Sequence, residues 1–203
     1  MSKIVFLFGP PGSGKTTQAQ LLARRFGFTH FDSGREIEKR VTARGWQKDA
    51  TLVHARRLFM EGKLERPQWV LKITKEALEK LAARGKSIVM VGTPRTRYEA
   101  FGAPKIDGLI PRAVALFGRT NTRLVLIELP AQSTVKRNVK RGREWLDVPD
   151  VIKVRLTEYA KKTGFMLHEL KRRGYSVKTI DGNQSRRSVF EDLCKAAGLR
   201  SDA

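Results

Sequence analysis

The sequence predicts an α/β fold, a parallel five-stranded sheet with helices on both faces. Three observations carry that expectation. Short continuous apolar runs recur five times, each separated from the next by a helical periodicity or a turn. A glycine-rich loop joins the first run directly to an amphipathic helix. No repeat, low-complexity tract or linker rich in Pro, Gly or Ser divides the 203 residues, so one domain is expected over 1–203.

The elements follow in chain order. Ile4–Phe8 is apolar throughout, as a strand buried on both faces of a parallel sheet should be. Ala19, Leu22, Ala23 and Phe26 recur at helical spacing, and Gly27 offers a stop. Phe28–Phe31 is the second strand candidate. Val70, Ile73, Ala77 and Leu81 mark a helix ending near Gly85, before a third strand at Ile88–Val91. Residues 99–121, with three glycines and two prolines, read as an irregular excursion, and Leu124–Leu129 as the fourth strand. Ile152, Leu156, Tyr159, Thr163, Met166 and Leu170 form one stripe of a long helix stopped by Gly174. Val177–Ile180 is the fifth strand. Phe190, Leu193, Cys194 and Ala197 define a closing helix, with Ser188 and Glu191 spaced as a capping box. Five alternations imply right-handed crossovers, and ligands then sit beyond the carboxyl ends of the strands.

Composition narrows the function classes. Forty per cent apolar residues suffice for a core. A single cysteine, Cys194, excludes an internal disulfide and a Cys-rich metal site, and the histidines at 30, 54 and 168 lack metal-ligand spacing. The apolar start lacks a small-residue cleavage site and no stretch reaches the length of a membrane span, so a soluble, cytoplasmic protein without membrane contact is expected. The 41 Lys+Arg against 20 Asp+Glu, a formal +21, suit polyanionic partners such as nucleotides or nucleic acid. They equally suit a solvated basic surface, because they are spread along the chain.

Gly9-Pro10-Pro11-Gly12-Ser13-Gly14-Lys15-Thr16 fits the pattern Gly, four residues, Gly-Lys-Ser/Thr. The glycines let successive N–H groups converge on one anion, and the helix that starts here adds its positive end. Lys15 should reach the β- and γ-phosphates, and the Thr16 hydroxyl should join the Mg²⁺ shell, so ATP and Mg²⁺ are the expected cofactors. The strand before and the helix after the loop are the context that makes this a phosphate loop, and the fold a P-loop NTPase three-layer fold.

Beyond the loop the chain resembles the nucleoside monophosphate kinases, specifically the adenylate kinase family in its short-lid form. Residues 9–19 match that family's loop nearly throughout. Asp32-Ser33-Gly34, Gly62-Lys63-Leu64, Gly92-Thr93-Pro94-Arg95-Thr96 and Leu129-Pro130 with Arg137 and Arg141 resemble its further motifs in order. So do Asp147, Pro149-Asp150-Val151-Ile152, Arg155-Leu156 and Ile180-Asp181-Gly182. The resemblance implies a helical acceptor lobe near 32–68 and a minimal lid near 141–147. It implies donor contacts from Gly9, Pro11, Gly12, Ser13, Gly14, Lys15, Thr16, Thr17, Arg137, Arg141 and Gln184. For the acceptor it implies Ser33, Gly34, Leu64, Gly92, Arg95, Glu99, Arg143 and Arg155. Lys15, Arg95, Arg141 and Arg155 would be the catalytic cations, since a phosphoryl in flight spreads negative charge over its oxygens. A monomer acting on a nucleoside monophosphate is the implied form.

The match departs at four positions. Val91 stands where the family has the aspartate that orders water around magnesium, Arg35 where it has another aspartate, and Glu38 where it has a phosphate-binding arginine. Glu99 stands where it has the glutamine that reads adenine, and an ionised carboxylate accepts without donating. Guanine or cytosine edges suit such a group better than adenine; an exposed glutamate without a role is the alternative. Three functions fit: an ATP-dependent nucleoside monophosphate kinase, a P-loop kinase with a different acceptor, and a non-catalytic nucleotide-binding protein held to nucleic acid by its charge.

Overall fold

The computed structural model describes residues 2–199. Its centre is a five-stranded parallel sheet: β1 (Ile4–Phe8), β2 (Thr29–Asp32), β3 (Ile88–Val91), β6 (Thr122–Glu128) and β7 (Val177–Asp181). The order across the sheet is β2-β3-β1-β6-β7. β1 is therefore central, with the chain's earlier strands on one side and its later ones on the other. That places a crevice beyond its carboxyl end, where the phosphate loop emerges.

Side chains of a strand alternate between faces, and each face has its own core. Ile4, Phe6 and Phe8 pack with Met90, Leu124 and Leu126 against α4 (Pro67–Ala82), α6 (Leu109–Phe117) and α9 (Phe165–Arg172). Val5 and Leu7 pack with Val89, Val125 and Ile127 against α1 (Lys15–Phe26) and α10 (Arg186–Ala197). Burial on both faces is why β1 and β3 carry no polar residue at all. The edge strands β2 and β7 are half-buried or exposed over most of their length and tolerate His30, Lys178 and Thr179.

A third, separate core belongs to a helical excursion leaving the sheet after β2. Ile37 and Val41 of α2 (Ser33–Thr42) meet Ala55 of α3 (Ala50–Met60) and Val70 of α4, with Phe59 and Trp69 packed on them. After β6 come α7 (Ala131–Arg141), a short irregular link, and α8 (Pro149–Glu158). A π-helical segment, Tyr159–Gly164, joins α8 to α9. The long helix expected over 152–170 is thus one run containing a wide turn.

Two sequence expectations need correction. Residues 99–121 are ordered: α5 (Arg97–Phe101) leads through a hairpin of β4 (Gly102–Ala103) and β5 (Ile106–Asp107) into α6. Leu109, Ile110 and Ala113 are fully buried there, a helical spacing hidden by the surrounding Gly and Pro. The cap of α10 is Ser185, whose hydroxyl accepts from the Ser188 N–H at 3.1 Å, so no box forms between Ser188 and Glu191. Among the described residues no helix is long and apolar enough to cross a membrane.

Candidate active site

A cleft of about 440 Å³ opens at the carboxyl ends of β1, β2 and β3. Its floor is the phosphate loop. The N–H of Ser13 turns back onto Pro10 O at 3.1 Å, and Gly14 enters α1 with φ +91°. Gly12 is needed for space as well as for its φ of +86°, because a Cβ there would lie 2.6 Å from Asn138 Nδ2. The same Nδ2 donates to Pro11 O at 2.9 Å and tethers the loop to α7.

Lys15 fills the cradle of this loop. Its ammonium donates to Gly9 O and Pro10 O, both at 2.7 Å, and to Ser13 Oγ at 3.2 Å. Burial lowers its pKa to about 7, and Arg95, Arg155 and Arg141 push the same way, while Asp32 opposes them. Arg155 is lowered to about 10, first by burial and then by Arg141 and Arg95. These four cations share the carboxylates of Asp32 and Asp147, so positive charge remains in excess in the cleft. A polyphosphate would relieve both the burial and the repulsion.

Each arginine is aimed by its own set of contacts. Arg95 follows β3 and a cis Thr93–Pro94 peptide. Its Nε donates to Gly92 O at 2.6 Å, and its carbonyl accepts from Thr163 Oγ1, in the π-helical segment, at 3.1 Å. Arg141 and Arg155 share Asp147, which is 6% exposed at the end of the α7–α8 link. Arg141 Nε lies 2.8 Å from Oδ2 and Arg155 Nη1 3.3 Å from Oδ1, and Oδ2 also accepts the Arg143 N–H at 2.9 Å. Burial works to raise the Asp147 carboxyl. The hydrogen bonds from Arg141 and Arg143 and the nearby charges outweigh it and hold the pKa below its ordinary value.

Of the residues expected at the site, the structure brings Gly9, Pro11, Gly12, Gly14, Lys15, Thr16, Thr17, Arg137 and Arg141 to the cleft on the loop and α7 side. Ser33, Gly34, Leu64, Gly92, Arg95, Glu99, Arg143 and Arg155 line it as well. Ser13 is buried beneath the loop, with its hydroxyl on Lys15. Gln184 does not line the cleft; its Nε2 donates to Asp181 O at 3.0 Å and Asp192 Oδ2 at 2.7 Å. The mismatch arises because the β7–α10 loop folds onto its own helix.

Glu99 is neither an exposed glutamate nor a free reader of a base. It is 1% exposed, and its carboxylate accepts from Arg95 N at 2.9 Å and Thr96 Oγ1 at 3.0 Å. That carboxylate holds the turn carrying Arg95. Glu65, 7% exposed, also lines the cleft, with Oε1 buried and unpartnered. Burial raises its pKa to about 7 against the pull of Arg66 and Arg95. No sequence signal marked Glu65, because the carboxyl's burial depends on how α3 meets α4. Asp32 was visible in the Asp-Ser-Gly step but carried no assigned role; its Oδ2 accepts from Thr16 Oγ1 at 3.0 Å.

Comparison with known proteins agrees with this arrangement. The AAA domain family matches residues 8–150. An adenylate kinase of Prochlorococcus marinus (strain MIT 9211) is 30% identical over 98% of both chains. This chain belongs to the adenylate kinase family. Adenylate kinase isoenzyme 1 of Cyprinus carpio is 31% identical over 96% of this chain and 94% of its own. The adenylate kinase of Thermus thermophilus is 28% identical over 98% and 99%. Membership makes the chain a phosphotransferase of the nucleoside monophosphate kinase class.

Proposed function

We propose that the protein moves the γ-phosphoryl group of ATP·Mg²⁺ onto a nucleoside monophosphate, giving two nucleoside diphosphates. The observation that carries this reading is the meeting of Lys15, Arg95, Arg141 and Arg155, from four separate segments, on one cleft. In the transfer, an acceptor phosphate oxygen bonds to the γ-phosphorus as the bond to the β-phosphate oxygen breaks, and ADP leaves with the electron pair. No general base is required of the protein, only cations held where charge develops.

In this reading the loop Gly9–Thr17 and Arg137 take the donor, and Arg155 and Arg143 bridge donor and acceptor. Arg95, Ser33, Gly34, Leu64 and Gly92 take the acceptor. The hydroxyl of Thr16 is a hard oxygen ligand of the kind Mg²⁺ accepts. Bound there, the ion would neutralise phosphate charge.

The acceptor half gives the base an apolar bed in Ile37, Phe59 and Val70, with Glu65 as its polar reader in place of Glu99. The test is a coupled assay with ATP·Mg²⁺ and each of AMP, GMP, CMP, UMP and dTMP. Turnover with at least one is expected, falling by about 100-fold or more in Lys15→Ala. Absence of turnover with all five, or full activity in that variant, would overturn the reading.

A further inference from the structure

Thr16 alone cannot hold a magnesium ion. Mg²⁺ keeps several waters in a strict octahedron, and those waters need an acceptor that orients them. In this family the acceptor is an aspartate at the end of β3, where this chain has Val91, 3% exposed and apolar. The next strand of the sheet supplies one. Asp32 ends β2 and pairs in register with Val91, so its Cα lies one strand spacing, about 5 Å, from the vacated position.

The two oxygens of Asp32 have separate work. Oδ1 caps α2, accepting from Gly34 N at 3.0 Å and Arg35 N at 3.3 Å. That fixes the rotamer and leaves Oδ2 facing the cleft, where it receives the Thr16 hydroxyl at 3.0 Å. A threonine hydroxyl that donates its proton to a carboxylate presents its lone pairs outward and is a better metal ligand for it. The remaining lone pairs of Oδ2 are available to metal-bound water.

We infer that Asp32 is the carboxylate of the magnesium site, transferred from the end of β3 to the end of β2. The inference rests on the phosphate loop being the donor site. A role as helix cap alone would require Oδ1 only, and asparagine caps as well as aspartate. A role in balancing the surrounding cations would affect the nucleotide with or without metal. Asp32→Asn therefore separates the three: it keeps the cap, removes the charge and replaces the acceptor that metal-bound water needs.

The experiment is calorimetric titration of a non-hydrolysable ATP analogue, once with EDTA and once with Mg²⁺. Mn²⁺ replaces Mg²⁺ in a third arm so that water-proton relaxation reports the bound ion. In Asp32→Asn the metal-linked part of the affinity and the Mn²⁺ relaxation signal should fall about 10- to 100-fold. Metal-free affinity should hold or improve, and circular dichroism should be unchanged. Asp32→Asn/Val91→Asp, which returns an acid to the neighbouring strand, should recover part of the metal-linked term. Equal losses with and without metal, or wild-type metal linkage in Asp32→Asn, would overturn the inference. Failure of the unmodified protein to bind the analogue in EDTA and in Mg²⁺ alike would instead overturn the donor-site reading beneath it.

Discussion

Lys15 and Glu65 are both buried charges in the cleft, and their titrations run in opposite senses. The Lys15 ammonium is lowered to about 7 by burial and by Arg95 and Arg155. Above that pH the free protein has given up the proton, and a bound polyphosphate draws it back. Nucleotide binding should thus take up a fraction of a proton at pH 8 and almost none at pH 6. Calorimetry in two buffers of different ionisation enthalpy measures it; buffer-independent heats at pH 8 would contradict it. Glu65 is raised to about 7 by burial. Its folded state holds the proton more tightly than the unfolded chain, so its stabilising share is complete below the ordinary 4.5 and lost as pH rises through 7. Glu65→Gln should therefore gain about 1–3 kcal/mol relative to the parent at pH 8 and nothing at pH 4.5, read from thermal unfolding at both.

At the scale of elements, the α7–α8 link is organised around one carboxylate. Asp147 gathers Arg141, the Arg143 backbone and Arg155, and Arg155 Nη1 also donates to Leu146 O at 3.0 Å. In the proposed transfer these cations would be positioned before substrate arrives, which would reduce the reorganisation left for the chemical step. Asp147→Asn keeps a single acceptor and loses the shared charge. It should lower kcat about tenfold and stability by about 1–3 kcal/mol, and raise the ratio of ATP hydrolysis to transfer. Steady-state assays with and without acceptor read both; an unchanged ratio would mean the link has no part in aiming the arginines. The elements themselves differ in how plainly the chain announced them. β1 and β3 were evident as apolar runs, since burial on both faces leaves no other composition. α6 was not: Leu109, Ile110 and Ala113 have the right spacing, but Gly108 and Pro111 disguise a helix start as a turn. Pro111 falls within the first turn of α6, where a missing N–H costs little.

For the whole molecule, the formal +21 is the property that the fold only partly absorbs. The cleft uses several of the basic residues. Others form exposed pairs such as Arg187–Glu191, where the arginine side chain is 90% exposed and the bond contributes little. The remaining surplus repels itself across the surface. Raising ionic strength from about 10 to 150 mM, where screening shortens to about 8 Å, should raise Tm. A polyphosphate that occupies the cleft should raise it further at equal ionic strength. A Tm that falls with salt would show that favourable pairs outweigh the repulsion.

Local chemistry let the chain alone determine the fold class, the phosphate loop and the order of the cation-bearing motifs. A glycine-rich turn followed by lysine and threonine acts through its own backbone, and a strand buried on two faces can only be apolar. Only the tertiary structure decided which acid does what. Glu99 turned inward to hold Arg95, Glu65 was left with a free oxygen, and Asp32 met Thr16 beside Val91. Those outcomes depend on strand register and on helix packing between residues far apart in the chain. A carboxylate's role follows from the groups around it, and no single-residue pattern carries that information.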